Sequence, residues 1–229
     1  MSNPDPPVHD PSVLAELDRV SVVYPGGIRA LTNISLRVHR GDRVALIGRN
    51  GAGKSTLLRL LVGTVIPSTG ASRIASSPGW GLPDERSFVL SMTVAENLAY
   101  CAERASAPPE SVTALLARVG LAGDGLKAVR NCSAGMRSRL AWARALVANG
   151  GHPELLLFDE LERALDLDGQ RELIGSVASL EPHHAVIWAT HRPLQGASPE
   201  LFTRVLALDA GRLVFDGPPS SLPPSWVKA

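Results

Sequence analysis

The chain has 229 residues, of which 45% are hydrophobic and 20% charged, and its formal net charge at pH 7 is +1. This composition is typical of a soluble globular protein with one large domain, and no long basic run suggests a nucleic-acid partner. No apolar stretch is long enough to span a bilayer, and the first residues lack the basic and apolar regions of a signal peptide. The two cysteines lack metal-like spacing, so we expect a reducing, cytoplasmic setting.

Proline-rich segments at both ends of the chain predict tails around one domain. Proline removes a backbone hydrogen-bond donor and disfavours regular structure. We therefore predict a flexible tail over residues 1–14, a single domain over 15–217 and a second proline-rich tail over 218–229. The domain begins with alternating apolar and polar residues at 17–24 and 34–38, which predict half-buried antiparallel strands.

The next segment, GRNGAGKST at residues 48–56, matches the pattern G-x-x-x-x-G-K-[ST] in full. The apolar run at 43–47 predicts a buried strand before it, and residues 56–62 predict a helix after it. Glycines let the backbone N–H groups surround phosphates, Lys54 reaches the terminal phosphates, and the Ser55 hydroxyl binds magnesium. An ordinary glycine-rich turn is the alternative. We predict a nucleoside triphosphate site formed by Gly48, Arg49, Asn50, Gly51, Ala52, Gly53, Lys54, Ser55 and Thr56.

Helical patterns fill the middle of the chain. Thr93 and Glu96 have the spacing of a capping box, which predicts a helix through about Arg104. A second helix is predicted from Pro109, a residue suited to a first helical turn, to about Val119.

A second chemical site is predicted where the apolar run at 155–158 ends in Asp159 and Glu160. A continuous apolar run is typical of a parallel strand covered on both faces, and ligands bind at the carboxyl edge of such sheets. We expect Asp159 to hold magnesium, usually through water, and Glu160 to polarise the water that attacks the γ-phosphate. A solvated acidic loop is the alternative interpretation.

A third candidate, His191, follows another buried strand predicted at 185–189. It would emerge at the same sheet edge as Lys54 and Asp159, where an imidazole can hydrogen-bond the γ-phosphate or orient the attacking water. A purely structural histidine is the alternative. Farther along, apolar segments at 205–209 and 212–215 flank Ala-Gly and predict a hairpin.

This order of elements resembles the nucleotide-binding subunit of ABC transporters, from about Leu17 to Gly217. The resemblance implies an α/β fold with a P-loop NTPase core, a RecA-like and mostly parallel sheet. It also implies an N-terminal antiparallel β subdomain and an inserted helical subdomain at about 82–148. Tyr24 occupies the place of the family's aromatic residue that stacks on adenine. Residues 131–137 occupy the place of its signature motif, in which Ser133 also has the character of a helix N-cap.

In that family two subunits pack head to tail, so the signature motif of one subunit completes the site of the other. The resemblance therefore implies a homodimer in which the γ-phosphate is contacted in trans by Ser133, Ala134, Gly135 and Met136. Ala134 and Met136 replace the family's first glycine and its glutamine. The turn at 161–164 lacks the usual proline and threonine, although Leu165 and Asp166 remain.

The family usually supplies a glutamine to the metal and the attacking water, but residues 78–88 contain none. Glu85 is the nearest candidate metal ligand by its spacing before Thr93, and Asp84 is the second. We expect Trp80 and Phe88 to be exposed and to border a groove for a membrane subunit. The alternative is that they pack the helical subdomain.

The resemblance implies an ATPase that uses ATP and Mg²⁺ and drives a separate transmembrane permease subunit, present as two copies or one fused chain, at the cytoplasmic face of the membrane. The segment 84–98 looks like ABC-2 type exporters of polysaccharides, lipids or drugs. Three alternatives remain: an importer ATPase, a soluble ABC ATPase of DNA repair or translation, and a nucleotide-sensing module that scarcely hydrolyses ATP.

Overall fold

A computed structural model of the protein describes residues 10–75, 77–108, 111–190 and 201–227. The described strands form a three-stranded and a six-stranded sheet. The smaller sheet has the order β2-β1-β4 and contains β1 (Val13–Tyr24), β2 (Ile28–His39) and β4 (Thr69–Ile74). The larger has the order β5-β6-β7-β3-β8-β9 and contains β3 (Arg43–Ile47), β5 (Gly79–Gly81), β6 (Leu155–Asp159), β7 (Ala185–Ala189), β8 (Arg204–Asp209) and β9 (Arg212–Gly217).

The smaller sheet is antiparallel, as the alternating pattern of the first two segments predicts. Both strands are longer than predicted, because apolar residues outside the alternating cores also become buried. β1 begins at Val13, and both Val13 and Leu14 are buried. Residues 13 and 14 therefore belong to a strand and not to the predicted N-terminal tail; residues 1–9 of that tail lie outside the described residues.

The larger sheet is parallel from β5 through β8, and β9 pairs antiparallel with β8 in the predicted hairpin. Alternate residues of its central strands enter opposite layers of the core: Val44 and Leu46 pack on one side, Ala45 and Ile47 on the other. The first layer holds the smaller sheet and the helix after β3, whereas the second holds the helices that lie between β5 and β6 in the chain. This is the predicted P-loop NTPase architecture.

The helices are α1 (Lys54–Val62), α2 (Val94–Arg104), α3 (Ser111–Arg118), α4 (Ala134–Leu146), the short turn α5 (Ala148–Gly151), α6 (Leu167–Ala178) and α7 (Pro224–Val227). The capping box at the start of α2 is confirmed, since the Thr93 hydroxyl and the Glu96 carboxylate each accept a backbone N–H of the other residue. The predicted start of the next helix at Pro109 lies outside the described residues. None of the helices in the described ranges has the length and apolar character that crossing a bilayer requires.

Residues 218–227 contain regular structure, whereas the sequence predicts a tail over 218–229; residues 228 and 229 lie outside the described residues. A 3₁₀ turn at Pro219–Ser221 precedes α7, and Leu222 and Trp226 pack against the core. Prolines fit the first turn of a helix because its N–H groups have no partner within the helix, so a proline-rich composition does not prevent this packing.

Candidate nucleotide-binding site

The phosphate loop connects β3 to α1, and its glycines have backbone conformations that other residues rarely adopt. The φ angles are 153° at Gly48, 79° at Gly51 and 105° at Gly53. A Cβ atom at Gly53 would lie 2.6 Å from the carbonyl oxygen of Ala30. Glycine is therefore required at that position both by conformation and by space. The loop ends at the N-terminus of α1, whose N–H groups favour an anion.

Lys54 is buried within this loop, with 5% of its surface exposed. Its Nζ donates to the carbonyl oxygens of Gly48 at 2.7 Å and Arg49 at 3.4 Å. Burial lowers the pKa of Lys54, and the carboxylates of Glu160 and Asp159 act in the opposite direction. The predicted lysine and both predicted carboxylates are thus close enough to interact electrostatically.

Asp159 ends β6 beside the loop and is 7% exposed. Burial raises the pKa of Asp159, and a hydrogen bond from the Ser55 side chain lowers it. This contact unites the two predicted metal ligands, although they are far apart in sequence. A hydroxyl and a carboxylate are oxygen ligands that suit Mg²⁺, which takes few protein ligands and completes its shell with phosphates and water. The side chains present therefore fit magnesium.

Glu160 follows Asp159 in a left-handed conformation with φ of 54°. Its N–H donates to the carbonyl oxygen of Ala189 at 3.0 Å, which holds the residue at the ends of β6 and β7. The side chain is 19% exposed and pairs with Arg163 at 3.5 Å. The structure thus brings Glu160 to the same sheet edge as Lys54 and Asp159. The third predicted catalytic residue, His191, lies outside the described residues.

Tyr24 lies at the end of β1 beside the first turn of α1. Its hydroxyl is 3.4 Å from the hydroxyl of Thr56, and its side chain is half-buried. An aromatic ring at the mouth of the phosphate loop is compatible with stacking on a base, which stays a prediction.

The segment predicted to act in trans forms the start of α4. The Ser133 hydroxyl accepts the N–H of Met136 at 3.2 Å, which confirms the predicted N-cap. A Cβ at Gly135 would lie 3.1 Å from the carbonyl oxygen of Ala164, and the Lys127 Nζ lies 3.5 Å from the sulfur of Met136. Ser133 and Ala134 are exposed, so a second molecule has access to this helix end.

Glu85, the predicted substitute for the missing glutamine, forms an ion pair with Arg137 of α4 at 3.4 Å and is 63% exposed. Asp84 caps the 3₁₀ turn Glu85–Ser87 by accepting the N–H of Arg86. Among the described residues, the contacts of these two carboxylates are thus with Arg137 and with the 3₁₀ turn. The role of Glu85 as a metal ligand stays a prediction.

Phe88 and Trp80 are not the exposed pair that the sequence predicts. Phe88 is buried, and the guanidinium of Arg144 lies 5.0 Å from the centroid of its ring. Trp80 is half-buried and packs against the core. Phe88 is covered because Arg144 also donates to the carbonyl oxygen of Ser87 and so draws this loop onto α4. This observation favours the packing interpretation for Phe88.

Sequence reasoning missed Glu162, which lies in the 3₁₀ turn Leu161–Ala164 after Glu160. Its carboxylate accepts the indole N–H of Trp188 at 2.7 Å and the hydroxyl of Thr190 at 2.6 Å. The sequence signals these contacts of Glu162 only through the departure of residues 161–164 from the family pattern.

Comparison with known proteins finds a matching family model and similar relatives. Residues 31–162 match the family model described as "ABC transporter". A putative ABC transporter ATP-binding protein of Streptomyces coelicolor is 37% identical, over 83% of this chain and 36% of that protein. The phosphonates import ATP-binding protein PhnC 1 of Rhodopseudomonas palustris is 34% identical, over 92% of this chain and 84% of that protein. The chain spans about a third of the length of the Streptomyces relatives that it matches.

Solved structures show the same architecture. The structure of a bacterial Atm1-family ABC exporter with ATP bound matches with a TM-score of 0.77 and 26% identity, over 95% of this chain and 41% of that chain. The structure of cbiO1 from Clostridium perfringens, part of the ABC transporter complex cbiONQ, matches with a TM-score of 0.73 and 25% identity, over 91% of this chain and 90% of that chain.

Proposed function

Because the chain belongs to the ABC transporter family of ATP-binding domains, which hydrolyse ATP with magnesium, we propose that this protein is the ATPase subunit of a membrane transporter. The observation that supports the proposal is the placement of Lys54 after β3 and of Asp159 and Glu160 at the end of β6, because these parallel strands end at one edge of the larger sheet with only β7 between them. These three side chains have the charges that phosphate binding, metal binding and activation of water require.

The chemistry follows from the positions of these groups. Backbone N–H groups of the phosphate loop and the N-terminus of α1 bind the phosphates, and the Lys54 ammonium neutralises the terminal ones. Ser55 and Asp159 would hold Mg²⁺, which would supply positive charge to neutralise the phosphates. Glu160 accepts a hydrogen bond from the attacking water and orients it toward the γ-phosphorus. Its left-handed backbone and the bond to Ala189 fix the starting point of that side chain.

The complete site requires two chains in this proposal. The N-terminus of α4 is exposed, and it contributes its backbone N–H groups and the Ser133 hydroxyl to the γ-phosphate in a head-to-tail homodimer. Dimerisation driven by ATP would bury this helix end. Light scattering of a hydrolysis-deficient variant with and without ATP tests this arrangement, and a protein that remains monomeric at saturating ATP would contradict it.

The proposed partner is a transmembrane permease subunit, which would hold this protein at the cytoplasmic face of the membrane. The pattern at residues 84–98 supports an exporter. An importer is the second candidate, because relatives of known name include import ATP-binding proteins for methionine, phosphonates and hemin. The comparisons do not confirm the exporter subtype.

The decisive experiment isolates the native complex in detergent, identifies the membrane protein that co-purifies, and reconstitutes both in lipid vesicles. We expect Mg²⁺-dependent ATP hydrolysis by this chain, stimulated by the membrane subunit. Failure of the wild-type chain to hydrolyse ATP with its membrane subunit present would favour the nucleotide-sensing alternative. Stimulation by an extracytoplasmic binding protein would identify an importer, whereas ATP-driven movement of cargo away from the side of the ATPase would identify an exporter.

A further inference from the structure

The segment from Glu160 to Glu162 is hydrogen-bonded to three consecutive residues: Trp188 and Ala189 at the end of β7, and Thr190 directly after it. The N–H of Glu160 donates to the carbonyl oxygen of Ala189. The carboxylate of Glu162 accepts from Trp188 on one side of Ala189 and from Thr190 on the other. Glu160 and Glu162, which are separated by Leu161 alone, therefore bind the same three-residue stretch of chain.

The two bonds to Glu162 are of the strong, charge-assisted kind. Their lengths of 2.7 Å and 2.6 Å are those expected when an N–H or O–H group donates to an ionised carboxylate. The two residues that donate are buried, whereas Glu162 is only partly buried. Gln170 of α6 adds a third contact by donating to the carbonyl oxygen of Glu162 at 3.2 Å.

The bonds to Glu162 bear directly on Glu160 because Glu160 has a strained backbone. The Glu160 backbone has a φ of 54°, in a sparsely populated region for residues with a Cβ atom. Such a conformation persists only where the surrounding contacts hold it. The bonds of Glu162 to Trp188 and Thr190 lie two residues away and join the side chain of the turn to this strand. Removing them keeps the backbone bond of Glu160 to Ala189 but takes away two bonds that fix the position of the turn.

We propose that Glu162 is a positioning residue for ATP hydrolysis, which fixes the carboxylate of Glu160 by fastening the turn to Trp188 and Thr190. The inference rests on the proposed function, because it assigns Glu160 the task of orienting water. Glu162 itself touches neither ATP nor the water in this arrangement.

The test compares Glu162→Ala and Glu162→Gln with a matched control, Asp168→Ala, which removes an exposed carboxylate on α6. Glu162→Ala should lower kcat about tenfold or more and change KM for ATP less than about twofold, because the phosphate loop is untouched. Glutamine keeps a carbonyl oxygen for one donor and an amide that can donate to the Thr190 hydroxyl. Glu162→Gln should therefore keep kcat within about threefold of the wild type, and Asp168→Ala should leave it unchanged.

A second measurement does not depend on hydrolysis. Hydrogen exchange of the Glu160 amide, followed by NMR, should accelerate about tenfold or more in Glu162→Ala and stay unchanged in Asp168→Ala. If Glu162→Ala does not fold, Thr190→Val removes one of the two bonds with little change in volume and serves the same comparison.

Each outcome decides a separate question. Wild-type kcat in Glu162→Ala, or unchanged exchange at Glu160, would overturn the positioning role. Equal losses of kcat in Glu162→Gln and Glu162→Ala would show that the negative charge, not the position, is what matters, and would also overturn it. A wild-type protein without hydrolysis would contradict the proposed function instead, and the exchange measurement would still test the attachment of the turn.

Discussion

Replacing Glu160 by glutamine removes the proposed water-orienting charge with almost no change in shape. The structural cost should be small, because the ion partner Arg163 is 81% exposed and lies 3.5 Å away. Exposed pairs of this kind contribute about 0.2–1 kcal/mol, which for a domain of this size corresponds to a shift in Tm of at most about 2–4 °C. The backbone bond to Ala189 is unaffected.

The effect on the chemical step should be much larger. A positioned general base contributes about 100- to 10,000-fold to a rate, or about 3–5 kcal/mol of activation free energy. Glu160→Gln should therefore lower kcat by about that factor while it leaves the affinity for ATP nearly unchanged, because Lys54 and the phosphate loop are intact. Because the variant binds ATP but hydrolyses it slowly, ATP stays bound and should also favour the dimer.

The assay is single-turnover hydrolysis of labelled ATP at saturating Mg²⁺, together with an ATP titration and thermal unfolding. Glu172→Gln is the control, since it removes an exposed carboxylate of α6 that pairs with Arg139 of α4. Turnover of Glu160→Gln within about threefold of the wild type would refute the assignment of Glu160. A loss of ATP affinity equal to the loss of rate would refute the separation of binding from catalysis.

Lys54→Ala should weaken binding of ATP about 10- to 100-fold by removing charge-assisted hydrogen bonds to phosphate, as measured by calorimetry, and unchanged affinity would contradict its role. Gly53→Ala should lower Tm by about 4–8 °C, because a left-handed residue with a Cβ costs about 1–2 kcal/mol and this Cβ also meets the Ala30 carbonyl. Gly51→Ala, with no atom near its Cβ, should lower Tm less, and equal shifts would show that the clash is irrelevant. Thr93→Ala should lower Tm by about 2–4 °C through loss of the capping box, which thermal unfolding checks directly.

The sequence predicts best those elements whose signals are local. The phosphate loop, the capping box at Thr93 and the N-cap at Ser133 each depend on a few adjacent residues with fixed spacing, and the structure has all three. The continuous apolar runs at β6 and β7 predict strands buried on both faces for the same reason. Since parallel strands end at one edge, the meeting of Lys54 with Asp159 and Glu160 was also predictable.

The elements that escaped prediction depend on contacts between distant residues. β4 contains a glycine and a serine, and two of the three residues of β5 are glycine, so neither sequence has a strand pattern and the pairing with β1 and β6 makes them strands. The ion pair of Glu85 with Arg137 joins residues of two different elements, and spacing before Thr93 carries no information about it. Glu162 is hidden in the same way, because its partners follow 26 and 28 residues later.

The left-handed backbone at Glu160 sets thermal stability against activity at a single position. A glycine there would adopt φ of 54° without strain, whereas a residue with a Cβ loses about 1–2 kcal/mol in that conformation. A library of variants ranked by melting temperature would therefore enrich glycine at position 160 and discard the carboxylate. Any effort to make this protein more heat-resistant should keep residue 160 fixed and seek its gains elsewhere.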